Sequence, residues 1–223
     1  MPAERPRAAR GVLLTGFDPF GGAARNPSWE AVRALRGARI GGHAVAVARI
    51  PTSFTRCAPA LARAIARHRP ALVLCTGLAQ GRAAVSLERV AINCIDARIA
   101  DNDGLQPIDA PVVAGAPAAY FARLPLKAML AAVRARGIPA EVSNSAGTFV
   151  CNALAFHLAH GIATRWPRLR GGFVHLPAAP FQVADQPATP SMALATMVEA
   201  LRAAVAAALA QGDDIALGAG TEH

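Results

Sequence analysis

The sequence has few of the features that mark membrane or nucleic-acid-binding proteins. No apolar run approaches the roughly 18 residues that cross a bilayer, although 53% of the 223 residues are hydrophobic. Aromatic residues make up only 5% of the chain, too few for a surface that stacks bases. The net charge of +9 comes from arginines scattered singly along the chain, with Lys127 as the one lysine. We therefore expect neither a membrane nor a nucleic acid as a partner.

The N-terminus lacks a secretory signal. Residues 1–10 are basic and residues 11–15 are apolar, but this apolar run is too short and no small-residue cleavage site follows it. We expect a cytoplasmic protein. No linker-like stretch divides the chain, so we expect a single domain over residues 1–223, with flexible ends at residues 1–10 and about 212–223.

The cysteines and histidines show no metal-binding spacing. There is no C-x-x-C motif and no short Cys/His cluster of the kind that holds zinc. His157 and His160 lie one helical turn apart but have no carboxylate nearby in the sequence, and we interpret them as surface residues. Cys57 and Cys75 lie in apolar segments and are predicted to be free thiols in the core. The sequence around Cys94 does not indicate whether this residue lies in the core. Cys151 is the fourth cysteine.

Short apolar segments alternate with helical ones along the chain. Residues 12–15 form a nearly all-apolar run between glycines, typical of a strand buried on both faces of a parallel sheet. Asn26 is predicted to cap a helix that begins at Pro27. The pattern predicts an α/β protein, a three-layer α/β/α sandwich with a mostly parallel, twisted central sheet. The other predicted strands are 43–50, 71–75, 85–91, 140–143 and 172–177, and the other helices are 56–67, 125–136, 151–159 and 192–211.

Cys151 is the first candidate for chemistry. It follows a small polar turn, residues 143–149, and lies at the start of an Ala/Leu-rich helix. The positive end of a helix dipole favours a thiolate, which is a nucleophile. The alternative is that Cys151 is a small buried hydrophobe, as free cysteines usually are. A catalytic role requires a base nearby.

Four other side chains are candidates with an open alternative. His175 ends a predicted strand, at the edge where α/β sheets collect sites, or is a structural histidine. Residues 85–91 alternate like an edge or half-buried strand. Glu88 lies there among apolar neighbours and therefore either sits at a surface edge or has a specific partner. Phe17 and Phe20 lie in a glycine-rich loop and either fill the core or line a pocket. The irregular polar segment 93–117 is long enough to suggest a functional loop or subunit contacts.

Together these motifs resemble the pyroglutamyl peptidase I family, also called pyrrolidone carboxyl peptidases. The resemblance runs from about residue 11 to the closing helix, with the motifs in the family's order. It is carried by residues 16–22 with 26–29, residues 87–93, residues 146–152 and residues 172–177.

The resemblance implies a cysteine peptidase that removes an N-terminal pyroglutamyl residue from peptides through a thioester. It implies Cys151 as the nucleophile, His175 as the general base and acid, and Glu88 as the group that orients the imidazole. It implies that Arg98 and the Cys151 backbone N–H stabilise the oxyanion. No metal or organic cofactor is implied, and family members are often tetramers, so we expect a homotetramer.

The resemblance also implies a substrate pocket. Phe17 and Phe20 match the aromatic residues that hold the pyrrolidone ring, Asn26 matches a residue that supports their loop, and Leu78 and Val150 complete the expected contacts. The loop from Leu78 reads Leu-Ala-Gln-Gly-Arg where the familiar form reads Gln-Ala-Gly-Gly-Arg. The change is harmless if a backbone group reads the lactam, and alters affinity if a side chain does. Two alternatives remain, a related cysteine amidohydrolase with a different small acyl group and a basic binding protein without catalysis.

Overall fold

The computed structural model describes residues 11–220, which form a seven-stranded sheet with helices on both faces. The strand order is β2-β3-β1-β4-β9-β5-β8, and β6 pairs with β7 in a separate two-stranded sheet. The strands are β1 Val12–Phe17, β2 Arg39–Ile40, β3 His43–Ile50, β4 Leu72–Leu78, β5 Val85–Glu88, β6 Val90–Ile92, β7 Ala119–Phe121, β8 Ala140–Ser143 and β9 Arg170–Leu176. The helices are α1 Pro27–Ala34, α2 Cys57–His68, α3 Leu126–Arg134, α4 Val150–Thr164 and α5 Leu194–Ala210, with a 3-10 turn at Pro180–Gln182.

The predicted three-layer fold with a mostly parallel sheet is confirmed. Only β2 against β3 and β5 against β9 run antiparallel in the large sheet. Helices α1, α3 and α5 pack on one face of the sheet and α2 and α4 on the other. In β1, Val12 and Leu14 join the first core and Leu13 joins the second, because successive side chains of a strand point to opposite faces.

Asn26 connects α1 to the glycine-rich loop after β1. Its Oδ1 accepts hydrogen bonds from the Ser28 N–H at 3.0 Å and the Ser28 hydroxyl at 2.8 Å. Its Nδ2 donates to the Asp18 carbonyl at 3.0 Å. The predicted cap and the helix start at Pro27 are therefore confirmed, and the same side chain holds the loop that carries Phe20.

The segment predicted as one strand at 85–91 is two strands in different sheets. All four residues of β5 are buried between β9 and β8, so the prediction of an edge or half-buried strand is wrong. The chain turns at Arg89, whose N–H donates to the Ser143 carbonyl at 2.8 Å, and then forms β6. Ser86 and Glu88 alternate with apolar residues, as polar residues do in a strand with one face in solvent. Both are nevertheless buried, because each has a hydrogen-bonding partner.

Helix α4 continues past Gly161, where the sequence predicted its end. Trp166 packs directly over Gly161, which explains a glycine inside the helix. His157 and His160, which we interpreted as surface residues, are both partly buried. His160 Nδ1 lies 2.9 Å from the Tyr120 hydroxyl, and burial lowers the pKa of His157 to about 4.

The two cysteines assigned to the core are buried free thiols, as predicted. Cys57 and Cys75 have no exposed surface, and burial raises the pKa of each to about 12. Among residues 11–220, no helix combines the length and the apolarity that a membrane crossing needs.

The described end of the chain is held against the domain. Asp214 accepts hydrogen bonds from the Lys127 and Ala128 N–H groups at the start of α3, at 3.0 and 2.9 Å. Arg89 donates to the Ala219 carbonyl at 3.4 Å. The sequence predicted a flexible end from about residue 212, whereas the described part up to residue 220 makes these specific contacts. The expected flexible segment 1–10 lies outside the described residues.

We predict that Gly161→Ala destabilises the protein. The new Cβ would lie 2.8 Å from Trp166 Cε3, and overpacking of this kind costs about 1–3 kcal/mol. Helix propensity alone predicts the opposite sign, a gain of about 0.5–1 kcal/mol. Urea unfolding measures the difference, with Gly212→Ala as the control because its Cβ would meet nothing within 4 Å. A free energy of unfolding at or above that of the wild type would contradict this packing argument.

Candidate active site

The sulfur of Cys151 lies directly above Gly77 near the carboxyl end of β4. A Cβ on Gly77 would lie 2.8 Å from Cys151 Sγ and 2.9 Å from Phe173 Cζ, closer than real Cβ contacts come. Only glycine leaves room for the thiol at this position. Sequence reasoning did not select Gly77, since a glycine at a strand end is also explained by the turn that follows.

The strand register brings His175 and Glu88 to the same face of the sheet as the thiol. Gly77 pairs with His175 across β4 and β9, and Phe173 pairs with Glu88 across β9 and β5. Directly paired residues, and residues two apart in a strand, point to the same face. Helix α4 covers this face, so the three predicted triad residues meet there.

His175 and Glu88 form a buried hydrogen bond. His175 Nδ1 lies 2.8 Å from Glu88 Oε1, and the two residues are 4% and 2% exposed. A carboxylate can only accept, so Nδ1 carries the proton and the lone pair of a neutral imidazole is on Nε2. The Phe173 ring packs edge-on against the imidazole at 4.9 Å. Of the two open interpretations of Glu88, the one with a specific partner is correct.

Burial sets the resting protonation of the pair formed by Cys151 and His175. It lowers the pKa of His175 from its usual 6.5, against the opposing effect of the Glu88 hydrogen bond and charge. It raises the pKa of Cys151 to about 12, and the Glu88 carboxylate acts in the same direction. The sequence predicted a thiolate favoured by the helix dipole. Both pKa shifts instead favour a neutral thiol and a neutral imidazole at rest, with burial as the largest cause of each.

The turn before α4 leaves the Cys151 N–H free to bind an anion. Gly147 has a φ of +76°, and its N–H donates to Ser145 Oγ at 3.1 Å. Among the described residues the first hydrogen bond of α4 runs from Ala153 N to the Phe149 carbonyl. The Cys151 N–H is therefore one of the unpaired donors that every helix presents at its start.

Asn152 fixes the helix start to the segment after β6. This fully buried side chain accepts from the Ile92 N–H at 3.0 Å and donates to the Ile92 and Cys94 carbonyls at 2.9 and 3.0 Å. Sequence reasoning missed its role. The available signal was an amide next to the candidate nucleophile in an otherwise apolar helix, since a buried amide needs partners.

Arg98 is not joined to the triad by any contact among the described residues. It is exposed and makes no hydrogen bond or ion pair there. Its loop is nevertheless fixed beside the helix start, because the Asp96 N–H donates to the Thr148 carbonyl at 3.1 Å and Thr148 Oγ1 donates to the Asp96 carbonyl at 2.8 Å.

The phenylalanines of the glycine-rich loop have different environments. Phe17 is 2% exposed and belongs to the second core, with its ring 6.4 Å from that of Phe173. Phe20 is partly exposed, 6.3 Å from the Phe149 ring, which in turn packs on Phe54 at 5.2 Å. Phe17 thus fills the core under the site, and Phe20 belongs to an aromatic cluster at the surface whose other members the sequence did not reveal.

The remaining predicted pocket residues flank the same edge of the sheet. Leu78 is the last residue of β4 and pairs with Leu176. Val150 begins α4 and is fully buried. Asn26 is 2% exposed and supports the Phe20 loop by donating a hydrogen bond to the Asp18 carbonyl. The loop is also fixed from the side, because Asn102 donates to the Pro19 carbonyl at 2.9 Å.

Comparison with known proteins identifies the family. The family model for pyroglutamyl peptidase matches residues 10–211. A pyrrolidone-carboxylate peptidase of Bacillus licheniformis is 52% identical over 203 residues, covering 91% of this chain and 94% of the relative. One from Streptomyces coelicolor is 54% identical over 197 residues, covering 88% and 91%. The crystal structure of pyroglutamyl peptidase I from Bacillus amyloliquefaciens superposes with a TM-score of 0.91 at 45% identity, covering 94% of this chain and 99% of the other. The chain therefore belongs to the pyroglutamyl peptidase family.

Proposed function

We propose that this cysteine peptidase hydrolyses the amide bond after an N-terminal pyroglutamyl residue, with Cys151 as nucleophile, His175 as base and acid, and Glu88 as the orienting carboxylate. The observation that carries the proposal is the buried Glu88–His175 hydrogen bond on the sheet face that Cys151 covers. Nucleophile, base and orienting acid in this order are what thiol acyl transfer requires.

The first chemical step forms a thioester. Cys151 Sγ attacks the pyroglutamyl carbonyl carbon while its proton passes to His175 Nε2, which suits a resting thiol and a neutral imidazole. The carbonyl oxygen becomes an oxyanion. Collapse of this intermediate breaks the C–N bond, and His175 gives its proton to the leaving amine. Glu88 holds the imidazole in the required tautomer throughout.

The second step returns the free enzyme. His175 takes a proton from water, whose oxygen attacks the thioester carbon. The C–S bond breaks, pyroglutamate leaves, and the proton returns to Cys151 Sγ. The Cys151 N–H supports the oxyanion in both steps, and we assign Arg98 as the second donor because its loop is bonded to Thr148 at the helix start. Each such donor contributes on the order of 3 kcal/mol to transition-state stabilisation.

The pocket suits a flat, neutral lactam. Phe20 with Phe149 and Phe54 provides an aromatic surface beside the helix start, Phe17 and Asn26 support it, and Leu78 and the Val150 backbone flank it. A charged N-terminal glutamate would lack a counter-ion on this surface. The alternative is a related cysteine amidohydrolase that accepts a different small acyl group, since an apolar surface discriminates weakly among small groups.

Two further predictions from the sequence, the location and the oligomeric state, are part of this proposal. One is the expected cytoplasmic location, and the other is the homotetramer that the family resemblance implies. N-terminally pyroglutamylated peptides are the proposed partners.

We predict that the protein releases aminomethylcoumarin from its pyroglutamyl amide and that Cys151→Ala abolishes this release. Without the thiol, no thioester can form, although the fold should be retained. Cys94→Ala is the control, since the other partly exposed thiol takes no part in the proposed chemistry. Equal turnover of the prolyl or glutaminyl amide would overturn the pyroglutamyl assignment in favour of the alternative.

The pH dependence should report His175. Because burial lowers its pKa below the usual 6.5, the neutral base persists down to that lowered value. We expect kcat/KM for the neutral coumarin amide to fall only below pH 6.5, as pH drops through the pKa of His175. Glu88→Gln should move this acid limb to still lower pH and reduce kcat, since the carboxylate raises the pKa of His175. A limb that moves upward in this variant would contradict the assignment.

Gly77→Ala should impair catalysis more than stability. The new methyl would meet Cys151 Sγ at 2.8 Å and push the thiol away from the imidazole. Displacements of about 1 Å can cost roughly 100-fold in rate, and we expect a 10- to 100-fold loss of kcat/KM on that scale. Gly212→Ala is the matched control. Wild-type kcat/KM in Gly77→Ala would mean that the site tolerates a Cβ beneath the nucleophile.

A further inference from the structure

Arg82 contacts two parts of the active site, and the proposed chemistry gives these contacts no role. Its Nη1 lies 2.7 Å from Glu88 Oε1, and its Nη2 donates to the Ser145 carbonyl at 3.1 Å. Glu88 accepts a hydrogen bond from the imidazole of His175, and Ser145 lies in the turn that leads to Cys151. One guanidinium therefore links the acid of the triad to the turn that places the nucleophile.

The arginine and the histidine share one carboxylate oxygen. Glu88 Oε1 accepts both Arg82 Nη1 and His175 Nδ1, while Oε2 accepts no hydrogen bond from the described residues. Two donors therefore hold the same carboxylate oxygen in position between the guanidinium and the imidazole. A carboxylate that is 2% exposed is costly to bury without hydrogen-bond donors, and the guanidinium supplies one of the two donors to Glu88 Oε1.

The charge of Arg82 acts on both reacting groups. It lowers the pKa of His175 and also lowers the pKa of Cys151, opposing Glu88 in each case. Among the described residues, the charged groups that act on the imidazole are Glu88 and Arg82, and the thiols on the same face of the sheet are Cys151, Cys75 and Cys57. Burial is the largest cause of the lowered pKa of His175, and Arg82 acts in the same direction.

We propose that Arg82 is a positioning residue for the reaction, acting through Glu88 on the orientation and charge of His175 and through Ser145 on the placement of Cys151. This inference rests on the proposed function. It predicts a defect in the chemical step and not in substrate binding, because Arg82 is bonded to the acid and the turn and not to the aromatic cluster.

The test compares Arg82→Met with wild type, using the pyroglutamyl coumarin amide. We expect kcat to fall about 10- to 100-fold, as for other misplaced catalytic groups, with KM within about twofold. The acid limb of kcat/KM should move to higher pH, because removal of the guanidinium raises the pKa of His175. Arg63→Met is the control, since this exposed arginine makes no side-chain hydrogen bond among the described residues and its loss should leave both values unchanged.

An acid limb that stays at the wild-type pH in folded Arg82→Met would overturn the inference, whatever happens to kcat. If thermal unfolding shows that this variant is not folded, Arg82→Lys decides instead. It retains the charge but not the two-sided contact, so we expect a wild-type acid limb with a reduced kcat, and an unchanged kcat would overturn the inference.

A measurement without turnover separates this inference from the proposed function. Nitrogen-15 NMR of labelled histidine, with His175 assigned by its loss in His175→Gln, should show a higher pKa for His175 in Arg82→Met than in wild type. A wild-type protein that releases no pyroglutamate would overturn the proposed function and leave this titration interpretable. Identical titrations of His175 in the two proteins would overturn the role of Arg82.

Discussion

The arrangement of the site depends on a buried carboxylate. Glu88 is 2% exposed inside a seven-stranded sheet, and a carboxylate in such a place is costly unless donors surround it. His175 and Arg82 are those donors. A hydrogen bond to a charged group contributes about 1.5–3 kcal/mol, so the sheet at this point is more stable with both donors in place. Here the same contacts serve folding and chemistry.

The contact between Glu88 and His175 depends on the antiparallel pairing of β5 with β9. The antiparallel pairing places Glu88 opposite Phe173, two residues before His175. The acid is therefore diagonal to the imidazole and within reach of Nδ1. On the other side of β9, the parallel strand β4 has Gly77 opposite His175, and the missing side chain there makes room for the sulfur.

Much of this could be predicted from local sequence, and the failures have physical causes. The apolar run of β1 and the cap at Asn26 depend on neighbours in sequence, and both were predicted correctly. The strand β5 was misjudged because its alternation of Ser86 and Glu88 with apolar residues is the pattern of a half-exposed strand. Partners that lie far away in sequence, Glu141 and His175, reverse that interpretation.

The protonation of Cys151 could not be predicted from the sequence for a similar reason. Its position at a helix start is visible locally, whereas the carboxylate and the packing around the thiol come from β5, β4 and β9. These long-range contacts determine that burial raises the pKa to about 12. Gly77 and Arg82 escaped notice because each is ordinary in its own segment, and only the register of three strands gives them their neighbours.

The irregular segment between β6 and β7 gives the site its remaining rigidity. Asn152 binds its beginning at Ile92, Thr148 binds Asp96, and the Asp101 carboxylate accepts the Phe54 N–H at 2.8 Å. The following residue, Asn102, holds the loop that carries Phe20. One length of chain without regular structure is thus bonded to the helix of the nucleophile, to the aromatic cluster and to the Phe20 loop. Side-chain hydrogen bonds here do what strand pairing does in the sheet, which is why a segment of this length keeps a fixed path past the start of α4.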